Sequence, residues 1–261
     1  MRFPALVLTT VLVSAACAQD AREIVRKSVE LDQANWLRMK DYTWIANETD
    51  RSLDSKGQVK STESSKWETV ILYGEPHRRM LERNGKPLTI GEQRKEQQKL
   101  DRAVAKLEAE TDVQRQRHLE EFEKQREKDR EFLREVSDLY DFRIEGQDKI
   151  DGLDVWEISA TPKPGYEPKR RDARPLLKIK GKIWIDKAEF QWVRIEAETT
   201  GTITYGLFLA RLNPGAKLLF EQTRVNDEIW LPKFERVSGS GRLGLVKKIA
   251  LEQDLTWSNY R

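Results

Sequence analysis

The sequence predicts an α+β protein built on one curled antiparallel sheet, an unclosed β-barrel of about ten strands, with an N-terminal helix and a long charged helical insertion. Three observations predict this fold. Apolar residues recur at helical spacing just after position 20, alternating polar and apolar segments fill both ends of the chain, and a polar segment rich in helix formers separates them. Eight Trp, eight Phe and six Tyr supply a core although only 38% of the 261 residues are hydrophobic.

Residues 1–18 are predicted to be a cleaved signal peptide, so the mature chain is expected to be a single domain over residues 19–261. Arg2 provides the positive start, residues 4–16 form an uncharged apolar stretch, and Ala16-Cys17-Ala18 places small residues around a cleavage site. The apolar stretch is shorter than the about 20 residues that span a bilayer. The pattern therefore predicts export.

Cys17 is the only cysteine of the chain. A lipid-anchored form acylated at Cys17 is the alternative to plain cleavage, although Ser14 stands where a lipoprotein signal usually has Leu. Cleavage after Ala18 leaves a mature chain without cysteine, and therefore without a disulfide, thiol chemistry or a cysteine metal ligand.

The first part of the mature chain predicts a helix followed by three strands. Asp20–Lys40 carries apolar residues near helical spacing, with Asp20 as its N-cap. Alternation then predicts a hairpin of two long strands that include Trp44 and Trp67. A third strand, His77–Arg83, ends at the turn formed by residues 84–85, which are Asn-Gly.

The charged insertion is expected to span residues of about 89–140. It contains no proline, and Glu, Lys, Arg and Gln dominate it, which favours helix. Its apolar residues form only an interrupted stripe, so we expect one or two long helices with a break near Thr111-Asp112, touching the body along a narrow seam.

The C-terminal half predicts strands, and one hairpin within it can be assigned a register. Pairing Lys178–Ile185 with Gln191–Glu198 so that Lys180 faces Glu196 aligns opposite charges on one face and aliphatic side chains on the other. In this register Ile183 faces Val193. Residues 202–212 are expected to form one strand, and residues 239–241, Gly-Ser-Gly, are expected to lie between strands.

No catalytic, metal or cofactor site is expected. His77 and His118 are isolated, and the chain has neither a nucleophile elbow nor a glycine-rich phosphate loop. A hydrolase with an unrecognised carboxylate site is the remaining catalytic alternative. The 47 basic and 44 acidic residues are mixed along the chain, which argues against nucleic-acid binding. Dense charge on strand faces, as at residues 178–182, is foreign to a lipid-facing barrel, so contact with a membrane is expected to be peripheral at most.

Three segments carry a resemblance to a known family. Residues 146–152, Gly-Gln-Asp-Lys-Ile-Asp-Gly, lead to Ala160-Thr161-Pro162-Lys163, and residues 181–186, Gly-Lys-Ile-Trp-Ile-Asp, run to residues 193–196, Val-Arg-Ile-Glu. Residues 229–232, Ile-Trp-Leu-Pro, form the third segment. With the helix, strands and insertion, they resemble the LolA/LolB-like periplasmic lipoprotein-carrier superfamily, which includes outer-membrane lipoprotein-sorting-like proteins.

The resemblance implies a non-catalytic periplasmic protein that holds lipid or lipoprotein acyl chains against the apolar face of an unclosed barrel. Six residues are candidate contacts for such a hydrophobic ligand: Trp44, Trp67, Ile183, Ile185, Val193 and Ile195. The alternative is that these side chains form an ordinary closed core. The insertion is longer and more charged than a simple lid, so a second hypothesis is an envelope protein-interaction or stress-sensing module in which the insertion docks a protein partner.

Overall fold

The computed structural model describes residues 20–72, 75–205, 210–243 and 247–261. The predicted signal peptide, including Cys17, lies outside these residues. Within them, the chain forms one antiparallel sheet with three α-helices and one 3-10 helix.

The helices lie before and within the first half of the sheet, and the 3-10 helix lies in the second half. The α-helices are α1 (Ala21–Met39), α2 (Ile90–Glu108) and α3 (Asp112–Leu139), and the 3-10 helix is η1 (Arg171–Lys178). The first six strands are β1 (Trp44–Leu53), β2 (Val59–Leu72), β3 (Glu75–Arg83), β4 (Lys86–Pro87), β5 (Tyr140–Ile150) and β6 (Leu153–Pro162). The others are β7 (Ile179–Asp186), β8 (Trp192–Thr199), β9 (Ile203–Tyr205), β10 (Ala210–Leu212), β11 (Lys217–Val225), β12 (Ile229–Leu243) and β13 (Lys247–Ser258).

The strands follow the order β4-β3-β2-β1-β13-β12-β11-β8-β7-β6-β5, with β10 pairing to both β12 and β9. The sheet is not closed into a barrel, because β4 and β5 lie at opposite edges. The predicted fold class is therefore confirmed. The sheet has 13 strands rather than about ten, since β4, β9 and β10 contain only two or three residues each.

The starts of the helices are encoded locally. The side chain of Asp20 accepts a hydrogen bond from the Arg22 N–H at 3.0 Å, as predicted for the N-cap of α1. Capping boxes start α2 and α3, in which Thr89 pairs with Glu92 and Thr111 with Gln114. The insertion is thus two helices, with the break at residues 109–111.

Helix α1 defines one face of the sheet. Its residues Ile24, Val25 and Val29 pack against Ile158 and Ile185 on β6 and β7. We call this side of the sheet the helix-covered face. The residues that pair with Ile158 on the neighbouring strands point to the same side. Burial of apolar area contributes about 25 cal/mol per Å², and in proteins such packing supplies most of the stability of a helix.

Two contacts fix the ends of α1. At its start, the Arg22 guanidinium donates to Asp138 of α3 at 2.5 Å. Just beyond its end, Glu228 in the β11–β12 turn receives a hydrogen bond from the Tyr42 hydroxyl and pairs with Arg38 at 3.1 Å. Helix α1 therefore crosses the sheet from the β5 side to β12.

The predicted β7–β8 register is wrong by two residues. Lys180 pairs with Glu198 rather than Glu196, and Ile183 pairs with Ile195 rather than Val193. A bulge between the pairs of Trp184 and Ile185 inserts one residue into β8. Opposite charges still align, because from Arg194 to Thr199, before the bulge, the shift of two residues leaves each side chain on its original face.

Two further expectations are corrected near the end of the chain. The single strand expected over residues 202–212 is a pair of short antiparallel strands, β9 and β10. The Gly239–Gly241 segment lies inside β12 rather than between strands. A Cβ on Gly241 would lie 2.1 Å from the Arg211 carbonyl oxygen, so glycine there permits the close approach of β10.

Gly181 provides a test of the packing between β7 and β8. A Cβ at this position would lie 2.4 Å from the backbone oxygen of Glu196, which belongs to the neighbouring strand and cannot rotate away. We expect Gly181→Ala to lower the free energy of unfolding by about 1–3 kcal/mol in urea denaturation. Gly146→Ala is the matched control, since a Cβ there meets nothing within 4 Å. Equal stability of the two variants would contradict the β7–β8 pairing.

A candidate apolar groove

A row of small side chains forms the floor of a groove on the helix-covered face. Ala160 pairs with Gly181, and Gly181 pairs with Ala197, so three adjacent strands present almost no side-chain volume at this level. Branched residues flank the row on either side along the same strands, with Ile183 and Ile195 on one side and Ile179 on the other. A trough between aliphatic ridges is the result.

The groove runs across the strands rather than along them. One register row supplies six of its lining residues, from β5 to β12: Phe142, Ala160, Gly181, Ala197, Leu218 and Val237. Five spacings of about 4.8 Å give this row a length of roughly 24 Å. The groove has a volume of about 330 Å³, within the range of small-molecule sites.

Three elements cover the groove. Val136 of α3, Leu176 of η1 and Ile203 of β9 contribute apolar side chains to its walls. At one end the Thr199 hydroxyl donates to the Asn213 carbonyl at 2.9 Å and accepts from the Ala216 N–H at 3.0 Å. The polar groups at this end are thus satisfied within the protein, which leaves the lining apolar.

Buried polar contacts hold η1 over the groove. The Glu135 carboxylate, only 4% exposed, accepts backbone N–H groups of Lys169 and Arg170, the latter at 3.1 Å. The Tyr140 hydroxyl donates to the Leu176 carbonyl at 2.9 Å, and burial raises the pKa of Tyr140. The basic cluster at residues 169–171 is therefore bound in part to α3, because Arg170 also pairs with Glu131 at 2.7 Å.

The structure brings two of the six predicted ligand contacts into the groove, Ile183 and Ile195. Ile185 is completely buried against α1 and contributes to the core instead. Trp44 and Trp67 lie on the helix-covered face in β1 and β2. Three strand spacings, about 14 Å, separate the β2 strand from the groove residue on β12.

Val193 lies on the opposite face of the sheet. It packs there with Val155, Trp184 and Trp230 in a separate buried cluster. The β8 bulge is the cause, because the extra residue reverses the alternation of side chains beyond Ile195.

The small floor residues were missed from the sequence. Ala160, Gly181 and Ala197 are unremarkable individually, and they define a groove only when the register sets them side by side. The glycine at the start of the segment 181–186 was the available signal, since glycine inside a strand often marks a close approach.

A buried polar cluster lies under α1, on the same side of the sheet. Asp32 is 8% exposed, and its Oδ1 accepts a hydrogen bond from the Gln222 Nε2 at 3.2 Å. Burial raises the pKa of Asp32, and the hydrogen bond from Gln222 opposes part of that effect. Nearby, the Asn35 amide donates to the Gln191 Oε1 at 2.7 Å. These contacts tie α1 to β11 and to the residue just before β8.

Two negative findings apply to the described residues. No group of three or more His, Cys, Asp or Glu side chains there is arranged to hold a metal ion. None of the helices in that part of the chain is both long and apolar enough to cross a membrane.

No protein-family model matches the chain. No curated protein matches it either. Solved structures match it over nearly its whole length. An outer membrane lipoprotein-sorting protein domain from Vibrio parahaemolyticus is 12% identical, with 91% of this chain and 92% of that chain covered and a TM-score of 0.36.

Two further structures are similar at the same level. A LolA superfamily protein from Nitrosomonas europaea is 11% identical over 94% of both chains, with a TM-score of 0.32. A chain of the MucA/MucB complex from Pseudomonas aeruginosa is 9% identical, with 92% of this chain and 98% of that chain covered and a TM-score of 0.25. A lipoprotein-sorting protein domain and a LolA superfamily protein, the class that the sequence resembles, are among these solved structures. At these TM-scores, the groove is interpreted from this chain's own contacts.

The buried Asp32 generates a pH prediction. The folded protein binds the Asp32 proton more tightly than the unfolded chain, whose carboxyl has a pKa near 3.8. The favourable contribution of Asp32 is therefore present at low pH and is lost as the pH rises through the raised pKa. Urea unfolding should show wild type gaining stability relative to Asp32→Asn between pH 7 and pH 4. The exposed Asp41→Asn variant should show a smaller change, and a reversed sign for Asp32→Asn would contradict its burial.

Proposed function

We propose that this protein is an exported, non-catalytic binding or carrier protein for acyl chains of lipids or lipoproteins in the periplasm. The single observation that carries the proposal is the row of small residues that leaves an apolar groove across six strands. A groove of roughly 24 Å can hold one acyl chain, which in a bilayer spans about half of the ≈30 Å hydrocarbon core.

Energetics support an apolar ligand of this kind. Each buried methylene contributes about 0.8 kcal/mol, so covering ten of them yields roughly 8 kcal/mol before the cost of association. The groove surface is predominantly apolar, and the Thr199 hydroxyl at its end is already paired within the protein. A polar ligand would lose its hydration in this groove without replacement.

The proposed location agrees with the sequence. The segment before residue 19 has the pattern of a signal peptide, and the mature chain after it has no cysteine. A carrier needs neither a cofactor nor a nucleophile, and neither is part of the proposal. Anchoring at Cys17 remains the alternative form of the same function.

Filling the groove from its floor tests the proposal. Ala197→Trp places an indole in the middle of the trough, whereas Glu196→Trp places the same side chain on the opposite face of β8. Native mass spectrometry of protein purified from the periplasm should show co-purified lipid for wild type and Glu196→Trp. We expect at least a tenfold loss for Ala197→Trp, with circular dichroism confirming that both variants fold.

Lipid retained at the wild-type level by a folded Ala197→Trp variant would overturn the assignment of the groove. Protein without any bound lipid, and without affinity for added fatty alcohol, would overturn acyl binding altogether.

A second candidate function is docking of an envelope protein through the insertion. The observation that favours it is the exposure of two apolar side chains at the helix starts, Ile90 at 77% and Val113 at 70%. A photo-crosslinking residue in place of Val113 should yield one discrete heterologous product in the periplasm. The same residue in place of Val59, which is 56% exposed on β2, is the control. Identical products from both positions would contradict docking.

A further inference from the structure

The helix-covered face changes from apolar to mainly polar and acidic over β12, β13 and β1. Two neighbouring rows of residues, each row paired from strand to strand, cross the sheet at the groove. The side chains of both rows are apolar from β7 to β11. The first row runs Ile183, Ile195, Phe220, then Glu235, Leu255 and Glu48. The second row runs Gly181, Ala197, Leu218, Val237, then Gln253, Asp50 and Glu63. Beyond the groove, whose lining ends at Val237 on β12, the same face of the sheet carries an acidic surface, defined by Glu48, Asp50, Glu63 and Glu235.

Glu235 stands at the boundary itself. It lies opposite Phe220 on one side and Leu255 on the other, and it is half-buried. Burial raises the pKa of its carboxyl. Within the described part of the chain, no hydrogen bond or ion pair to this carboxylate is formed. A half-buried carboxylate without a partner is costly, and an external cation would offset the cost.

The carboxylates beyond Glu235 are also short of positive charge. Asp50 and Glu63 face each other directly across β1 and β2, an arrangement that is destabilising for like charges. Gln253, which is neutral, donates to Glu48 at 2.9 Å and to Asp50 at 2.8 Å. Arg78 is 3.4 Å from Glu48.

Other nearby charge does not change this balance. The guanidinium of Arg83, at the far edge of the same face, is paired with Glu92 of α2 at 2.9 Å. Arg78 also stacks over the Trp67 ring, 4.5 Å from its centroid. The acidic surface thus carries more carboxylates than cationic side chains. Placing like charges side by side is unfavourable, and unfavourable arrangements of this kind concentrate at functional sites.

We infer that the ligand of the groove is an amphiphile with one acyl tail and a protonated amine at its polar end. This inference rests on the proposed function and adds the chemistry of the head. The tail lies along the row from Phe142 to Val237, and the amine lies over β13, between Glu235 on β12 and the carboxylates Glu48 and Asp50 on β1. The step from Val237 to Asp50 is two strand spacings, about 10 Å, which the glycerol or linker region of an aminolipid spans. A carboxylate or phosphate head is repelled at the same place.

Three probes with one tail and different heads test the inference. Dodecylamine, dodecanol and dodecanoate, each below its aggregation limit at pH 7 and low salt, displace the neutral dye Nile red from the full mature protein. We expect the amine to bind at least tenfold more tightly than the carboxylate, with the alcohol between them. The preference should shrink as salt is raised, because exposed charges are screened within about 10 Å at 0.1 M.

Charge removal identifies the residues. The Glu235→Gln/Asp50→Asn variant should reduce the amine-to-carboxylate ratio to about threefold or less and leave dodecanol affinity unchanged. Glu198→Gln removes the same kind of charge on the opposite face of β8, and we expect it to keep the wild-type ratio. Conservative amide replacements at partly exposed positions leave the fold intact, which circular dichroism checks.

The outcomes separate this inference from the proposed function. Suppose that dodecanol binds, but that the amine binds no more tightly than the carboxylate. The assignment of a cationic head is then wrong, and the assignment of the apolar groove is retained. If no probe binds, the proposed function fails first. If an apolar peptide containing lysine displaces the dye more strongly than dodecylamine does, the occupant is a peptide and the aminolipid assignment is overturned.

Discussion

The pairing of β7 with β8 is the constraint on which the site depends. In the observed register, Gly181 lies opposite Ala197 and continues the row that begins at Ala160. Moving β8 by two residues would keep every side chain on its face, yet it would set Ile195 opposite Gly181 and fill the trough. The two registers are expected to differ little in the free energy of unfolding. In both of them, lysines face glutamates on the other side of the sheet. The Gly181 contact and the β8 bulge select the register that leaves space.

The elements that the sequence predicted correctly are those whose signals are local. Asp20 caps α1, Thr111 starts α3, and an Asn-Gly turn follows β3, because each depends on side chains within a few residues. The errors are non-local. The β8 bulge moved Val193 to the opposite face, and the β9–β10 pair depends on β12, which is distant in sequence. Floor residues could not be identified because an alanine or glycine gives no signal until its neighbours across the sheet are known.

The two faces of the sheet have different roles in folding and in binding. Away from α1, paired charges such as Lys182 with Glu157, at 2.6 Å, solvate the surface. On the helix-covered face, α1 fills one part with Ile24 and its neighbours, and the remainder is the groove with its acidic continuation. The elements above the groove are fixed by polar contacts, as at Glu135, and by the packing of Leu176 against the cluster of Tyr140 and Ala160 at one end of the row. The trough between these elements is therefore left unfilled without loss of a defined architecture.

An unclosed sheet has two free edge strands, and the residues of the edge strand β5 reduce the risk of aggregation that a free edge creates. A long edge strand is a template on which other chains can add strands and aggregate. The outward positions of β5 carry Asp141, Arg143 and Glu145, and a bulge between Ile144 and Gly146 interrupts the ladder. Alternating charge and irregular backbone both hinder strand addition. The opening that gives the groove its access is thus kept without offering a flat apolar border for self-association.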